Sequence, residues 1–167
     1  MRALAGLSVI AALIVAGCNT TPGEAPAPTT ASSGSPQPVA HYDWFFHADA
    51  HQARLAYGLE ESDDLRLGMD CEAGSRRIAL STIVGSGGKP EIVIESGGDT
   101  ERLVAEAEAD DMTDGDFLTA AIASDAPVMR RFRQVKWLAM WHGDERTPLV
   151  PHPGSAGNIE RFFEICG

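Results

Sequence analysis

From Tyr42 to Ala123 apolar and polar residues alternate largely with a period of two; beyond Ala123 a helical period takes over. The organising stretch is Leu65 to Cys71. Read as a strand, it places Leu65, Leu67, Met69 and Cys71 on one face and Arg66, Gly68 and Asp70 on the other. Glu72-Ala73-Gly74-Ser75 then predicts a hairpin turn with Gly74 left-handed, and a return strand alternating Ile78, Leu80, Thr82 and Val84. Gln52 to Tyr57, Glu91 to Glu95, Arg102 to Ala109 and Phe117 to Ala123 read as further strands. Ser124-Asp125-Ala126-Pro127 predicts a helix start with a capping side chain and Pro in the first turn. Val128, Phe132 and Val135 would be its buried stripe. Lys136 to His142 and Arg146 to Val150 return to strand. Asn158 is expected to cap a last helix in which Ile159, Phe162, Phe163 and Cys166 form one stripe. The strand and the last helix each aim a cysteine inward, which predicts a Cys71–Cys166 disulfide rather than two separate buried thiols. The expected class is α+β: six to nine antiparallel strands in a strongly curved sheet or sandwich, with two helices.

The chain divides into three segments. Residues 1–17 are an apolar run behind Arg2, too short for the ~20 residues that span a bilayer, and read as a signal peptide. Residues 18–40 hold Pro22, Pro26, Pro28, Pro36 and Pro38 among Thr, Ser, Ala and Gly, and read as a disordered tether. As polyproline II it would reach roughly 70 Å at about 3.1 Å per residue. Residues 41–167 are enough for one domain with a core of its own.

Val15-Ala16-Gly17-Cys18 resembles the lipobox of bacterial lipoproteins. The resemblance implies cleavage before Cys18, acyl chains on its thiol and attachment to a membrane of the cell envelope. Two or more chains anchor stably where one does not. Asn19, in place of the Asp that resembles an inner-membrane retention signal, points to the outer membrane with the domain facing the periplasm. Such a compartment is oxidising, which favours a disulfide between the two remaining cysteines.

The formal net charge is −11, and losing Arg2 with the signal takes it to −12. Such a balance excludes nucleic acid as a partner, since phosphate binding needs a basic surface, and suits a cationic protein. Arg130, Arg131, Arg133 and Lys136 form the one local basic group, a solvated helix face or a partner surface for anionic headgroups.

Chemical motifs are sparse. His47-Ala48-Asp49-Ala50-His51 would put two imidazoles and a carboxylate on one strand face, a ligand set suited to zinc or non-haem iron. The run from Asp110 to Asp116 has Gly115 at position 6 of a calcium loop but Met112 at position 3 and Ala121 at position 12, so it is not an EF-hand. Gly85-Ser86-Gly87-Gly88-Lys89-Pro90 lacks the first Gly and the Ser/Thr of a phosphate loop. Trp137 and Trp141 share one strand face and are expected in the core. No motif implies a cofactor. Ala56-Tyr57-Gly58, Cys71 and Phe162-Phe163-Glu164-Ile165-Cys166 together resemble uncharacterised secreted proteobacterial domains, a resemblance that carries no activity. In build the chain is also similar to small acidic β lipoproteins that inhibit lysozyme, with a Cys inside a strand and another near the C-terminus. The sequence therefore leads to a non-enzymatic binding or structural module. An inhibitor of a basic envelope hydrolase and a metal-dependent enzyme are the alternatives.

Overall fold

In the computed structural model the described residues are 35–110 and 113–167. The expected signal segment, Cys18 and most of the tether lie outside them. Ten strands and two helices are found among the described residues: β1 (Tyr42–Ala48), β2 (Gln52–Leu59), β3 (Leu65–Glu72), β4 (Arg77–Gly85), β5 (Glu91–Ser96), β6 (Asp99–Val104), β7 (Glu106–Ala109), β8 (Gly115–Ala123), α1 (Pro127–Val135), β9 (Leu138–His142), β10 (Glu145–Leu149) and α2 (Ala156–Cys166). All strand pairs are antiparallel, in two open sheets ordered β1-β2-β3-β4-β8-β7 and β10-β9-β5-β6. The α+β class holds, but the strands exceed the expected six to nine, and neither sheet is closed or strongly curled.

The extra strand arises inside the Arg102 to Ala109 run. Ala105 is buried and its N–H donates to the Pro90 carbonyl, so the chain changes sheet there. β6 pairs with β5 while β7 pairs with β8.

The organising strand keeps its expected faces from Leu67 to Cys71, but Leu65, expected inward, precedes an irregularity in the β2–β3 register and lies on the open side, its Cδ2 3.6 Å from where a Gly68 Cβ would stand. Leu67, Met69 and Cys71 are buried in the main core, whereas Arg66 and Asp70 face the open side. Gly68 is also on that open side, where a Cβ would stand 2.5 Å from Ser81 Oγ and 3.4 Å from the Arg54 guanidinium. Its missing side chain lets Arg54 cross the strand to Asp70. Gly74 turns the following hairpin at φ 69°.

The inner face of the six-stranded sheet is covered by α2, which packs on β1, β2 and β3, while α1 packs on β5 and β6 of the smaller sheet. Between them lies a chain of rings. Trp44, fully buried, stands 5.1 Å from Tyr57 and 5.3 Å from Phe132, which meets Phe163 edge-on at 5.9 Å. Trp44 also ties three elements by hydrogen bonds: its indole N–H donates to the Leu149 carbonyl, and its own carbonyl accepts from Asn158 Nδ2 at 2.7 Å. Asn158 is thus not the cap expected of it. α2 begins at Ala156, and the Asn158 side chain reaches across to the edge of β1.

The start of α1 departs from expectation in a similar way. Pro127 does stand in its first turn, but neither Ser124 nor Asp125 caps the helix. Ser124 Oγ donates to the Gly167 carbonyl and Asp125 pairs with Arg76, so both side chains seal the last residues against the β3–β4 turn. The buried stripe of α1 is Val128, Met129 and Phe132, with Val135 left at the surface.

Cys71 and Cys166 are disulfide-bonded, with Cα atoms 5.7 Å apart and a sequence separation of 95. Backbone bonds from Gly74 to Ile165 and from Arg76 to Cys166 run alongside. Closing a loop of this length removes enough unfolded-state freedom to stabilise the fold by about 4–5 kcal/mol. Replacing both cysteines (Cys71→Ala with Cys166→Ala) is expected to lower the urea-derived stability by about 4 kcal/mol. An unchanged midpoint would remove the bond's role as the closing constraint.

Candidate functional site

The three residues proposed as metal ligands do not share a strand face. His47 is on the exposed side of β1, but the strand ends at Ala48 and the chain reverses over Asp49 to His51. Asp49 makes that reversal: its Oδ1 accepts the N–H groups of His51 at 2.7 Å and Gln52 at 3.0 Å, in the manner of an Asx-turn. Those two backbone donors hold its carboxyl below the usual carboxylate range. In register His47 faces Arg54, a cation where a third ligand would be needed. Among the described residues no group of three His, Cys, Asp or Glu side chains is placed to hold a metal ion.

The basic group of α1 is brought together, but against carboxylates. Arg133 and Lys136 both bind Glu160 of α2, Arg131 pairs with Asp99, and Arg130 donates to the Asp125 carbonyl. The Arg133 and Lys136 donors hold the Glu160 carboxyl down to about 2. This is an interhelical clamp rather than a free cationic patch.

A further polar cluster went unnoticed in the sequence. Trp137, Ala139 and Val150 form a small second core on the face of β9 away from the main one. Trp137 is buried there, as expected, while Trp141 is half-buried. Beside them Glu95, only 8 % exposed, accepts two bonds from Arg146 and one from the Trp141 indole at 2.9 Å. Arg146 in turn lies 5.3 Å over the Trp137 ring. The Arg146 hydrogen bonds keep Glu95 ionised below its ordinary range, against the opposing effect of burial. Period-two alternation puts Glu95, Ala139 and Trp141 on one face, but nothing in one chain announces that Arg146 closes over them. Every polar group in this cluster is satisfied internally, which fits a structural role.

Two further surface features are the distribution of charge and the open face of the larger sheet. Gly85 pairs with Gly115, and the start of β3 adjoins the end of β4, so the β2–β3, β4–β5 and β7–β8 connections gather at one end. The β9–β10 turn joins them, since Gly88 faces His142 there. This loop end carries Glu60, Glu61, Asp63, Asp114, Asp116, Asp144 and Glu145, none in an ion pair among the described residues, with Lys89 as the one unpaired cation between them. Eight ion pairs engage most of the described arginines, one of them, Arg66 with Asp64, at this end. The outer face of the larger sheet is a row of small residues, Ala56, Gly68, Ser81 and Thr119 in direct register. Its described depressions are open and shallow, one of about 360 Å³ between Gln52, Asp70 and Arg77.

Comparison with family models, with curated proteins and with solved structures finds no match to this chain.

Two carboxylates make the acid behaviour of the fold testable. A carboxyl whose folded pKa is depressed contributes stability that is fully present above its unfolded value near 4.5 and lost as pH falls toward the folded value. For Glu160 that window runs from about 4.5 down to about 2. Its side chain is 37 % exposed, so solvent screening limits the contribution to about 1 kcal/mol. Glu160→Gln should lose that amount at neutral pH and flatten the acid limb of a stability–pH profile, whereas an unaltered limb would dismiss the clamp. Glu95→Gln should cost more, about 2–3 kcal/mol in urea unfolding, because Arg146 is left largely buried beside a neutral partner.

Proposed function

We propose that this protein is a non-enzymatic binding module of the bacterial envelope, anchored through a lipidated Cys18 and the Pro-rich segment that follows it, whose partner is a cationic protein. The observation that carries the reading is the segregation of charge. Eight of the twelve described lysines and arginines are drawn into pairs with carboxylates, and the largest group of carboxylates outside those pairs lies at the loop end. Like charges crowded on loops oppose the compact state, so a concentration of them is better matched to attraction of an oppositely charged body. The tether is consistent with this arrangement. Tyr42 pairs with Leu59, so the chain enters the domain at the same loop end, beside Glu60 and Glu61. A small basic hydrolase such as lysozyme is one partner of the required chemistry, and its inhibition would be the functional outcome.

The anchor is tested by palmitate labelling, with incorporation into the full chain and none into Cys18→Ala as the expected result. The partner is tested by passing the full-length protein in neutral detergent over immobilised lysozyme. Retention at about 20 mM salt, lost by about 300 mM as the screening length shrinks, is expected. Passage without delay at low salt would discard the cationic-partner reading.

A further inference from the structure

We infer that the free edge of β7 is a docking strand for an extended, basic segment of the partner, which would join the six-stranded sheet as a seventh strand. This inference rests on the cationic-partner reading and names where and how such a partner is held.

The argument begins with the backbone. β7 pairs only with β8, from Glu106 opposite Thr119 to Ala109 opposite Asp116. In an antiparallel ladder alternate residues turn their N–H and C=O groups away from the partner strand, so an edge strand presents a row of unmet donors and acceptors. All four residues of β7 are exposed, and among the described residues none makes a backbone bond on the far side. The strand is nevertheless held at both ends. Ala105 is buried and donates to the Pro90 carbonyl, while Asp110 donates to the Gly115 carbonyl across the turn. A strand already fixed in extended form lowers the ordering cost of adding another to it.

Side chains then choose the occupant. Glu106 and Glu108 stand opposite Thr119 and Phe117, on one face of the sheet two residues apart. Directly opposite cross-strand side chains lie about 4.5–5.5 Å apart at Cβ, and opposite charges there attract while like charges repel. A second copy of this chain adding through its own β7 would set glutamate beside glutamate. An incoming strand with Lys or Arg at alternate positions meets both carboxylates. Its intervening residues would lie on the other face, beside Ala107 and Ala109. The other three edges of the two sheets lack this combination: β1 is covered at Trp44 by Asn158, β10 contains Pro148, and on β6 Asp99 is paired with Arg131 and Arg102 with Glu91, leaving Glu101 without a second such carboxylate.

The test uses the full-length protein and a short fluorescent peptide alternating lysine with valine, at low ionic strength. Glu106→Lys with Glu108→Lys should weaken its affinity about tenfold or more, while Glu72→Lys with Glu164→Lys, an equal change of net charge at exposed positions away from β7 and from the loop end, should weaken it no more than about twofold. N-methylating alternate peptide amides should also weaken binding about tenfold, and amide exchange at 106–109 should slow when the unmodified peptide is bound. Equal losses in the two double variants, or undiminished binding of the N-methylated peptide, would overturn the docking strand. Lysozyme retained by the protein while the peptide fails to bind would overturn this inference alone; failure to retain lysozyme at low salt would overturn the reading beneath it.

Discussion

An eleven-residue helix cannot hold itself together in water, yet α2 is the cover for three strands of the larger sheet. The structure depends on fixing that helix. The Cys71–Cys166 bond attaches its last turn to β3, and the Gly74 and Arg76 backbone groups accompany it. Asn158 attaches its first turn to β1. With both ends fixed, Phe162 and Phe163 are presented to the core, Phe163 meets Phe132, and α1 finds its place over β5 and β6. The Glu160 clamp then joins the two helices from outside. Packing of the smaller sheet is thus downstream of one covalent bond and the ring sequence behind it.

The parts legible in the sequence are those that a single element determines. The faces of Leu67 to Cys71 follow from the two-residue period, and the stripe of Ile159, Phe162, Phe163 and Cys166 follows from the helical one, so the disulfide between them could be read directly. What escaped were features requiring two distant elements. The break at Ala105 is invisible in an alternation that continues through it, because the reason for the break is the Pro90 carbonyl. Ser124, Asp125 and Asn158 have the chemistry of caps, but tertiary partners claim them first. The His47–Asp49–His51 grouping assumed a continuous strand, and the short-range hydrogen bonding of Asp49 ends it. Glu95 and Arg146 are fifty-one residues apart, and their meeting needs the smaller sheet to form first.

The distribution of charge is a product of the same folding rather than of composition alone. A net charge of −11 could be spread evenly, and a sequence reader has no cause to think otherwise. The fold instead places Arg54, Arg66, Arg76, Arg102, Arg131, Arg133, Lys136 and Arg146 against carboxylates, one after another. These pairs are mostly exposed and each adds little to stability. Their larger effect is subtraction: they use up most of the positive charge and leave the loop end with the largest group of uncompensated carboxylates.

Carboxylates gathered at the loop end make the charge of the described domain uneven along the strands of its larger sheet. A torque acts on the domain near any charged body before contact is made, so rotational diffusion is biased and the loop end is turned toward a cation and away from an anionic surface. The axis that the field aligns is also the axis along which β7 runs. If a basic chain docks on β7 as proposed, it would meet the strand direction already favoured, leaving rotation about that axis and register along the edge to be searched.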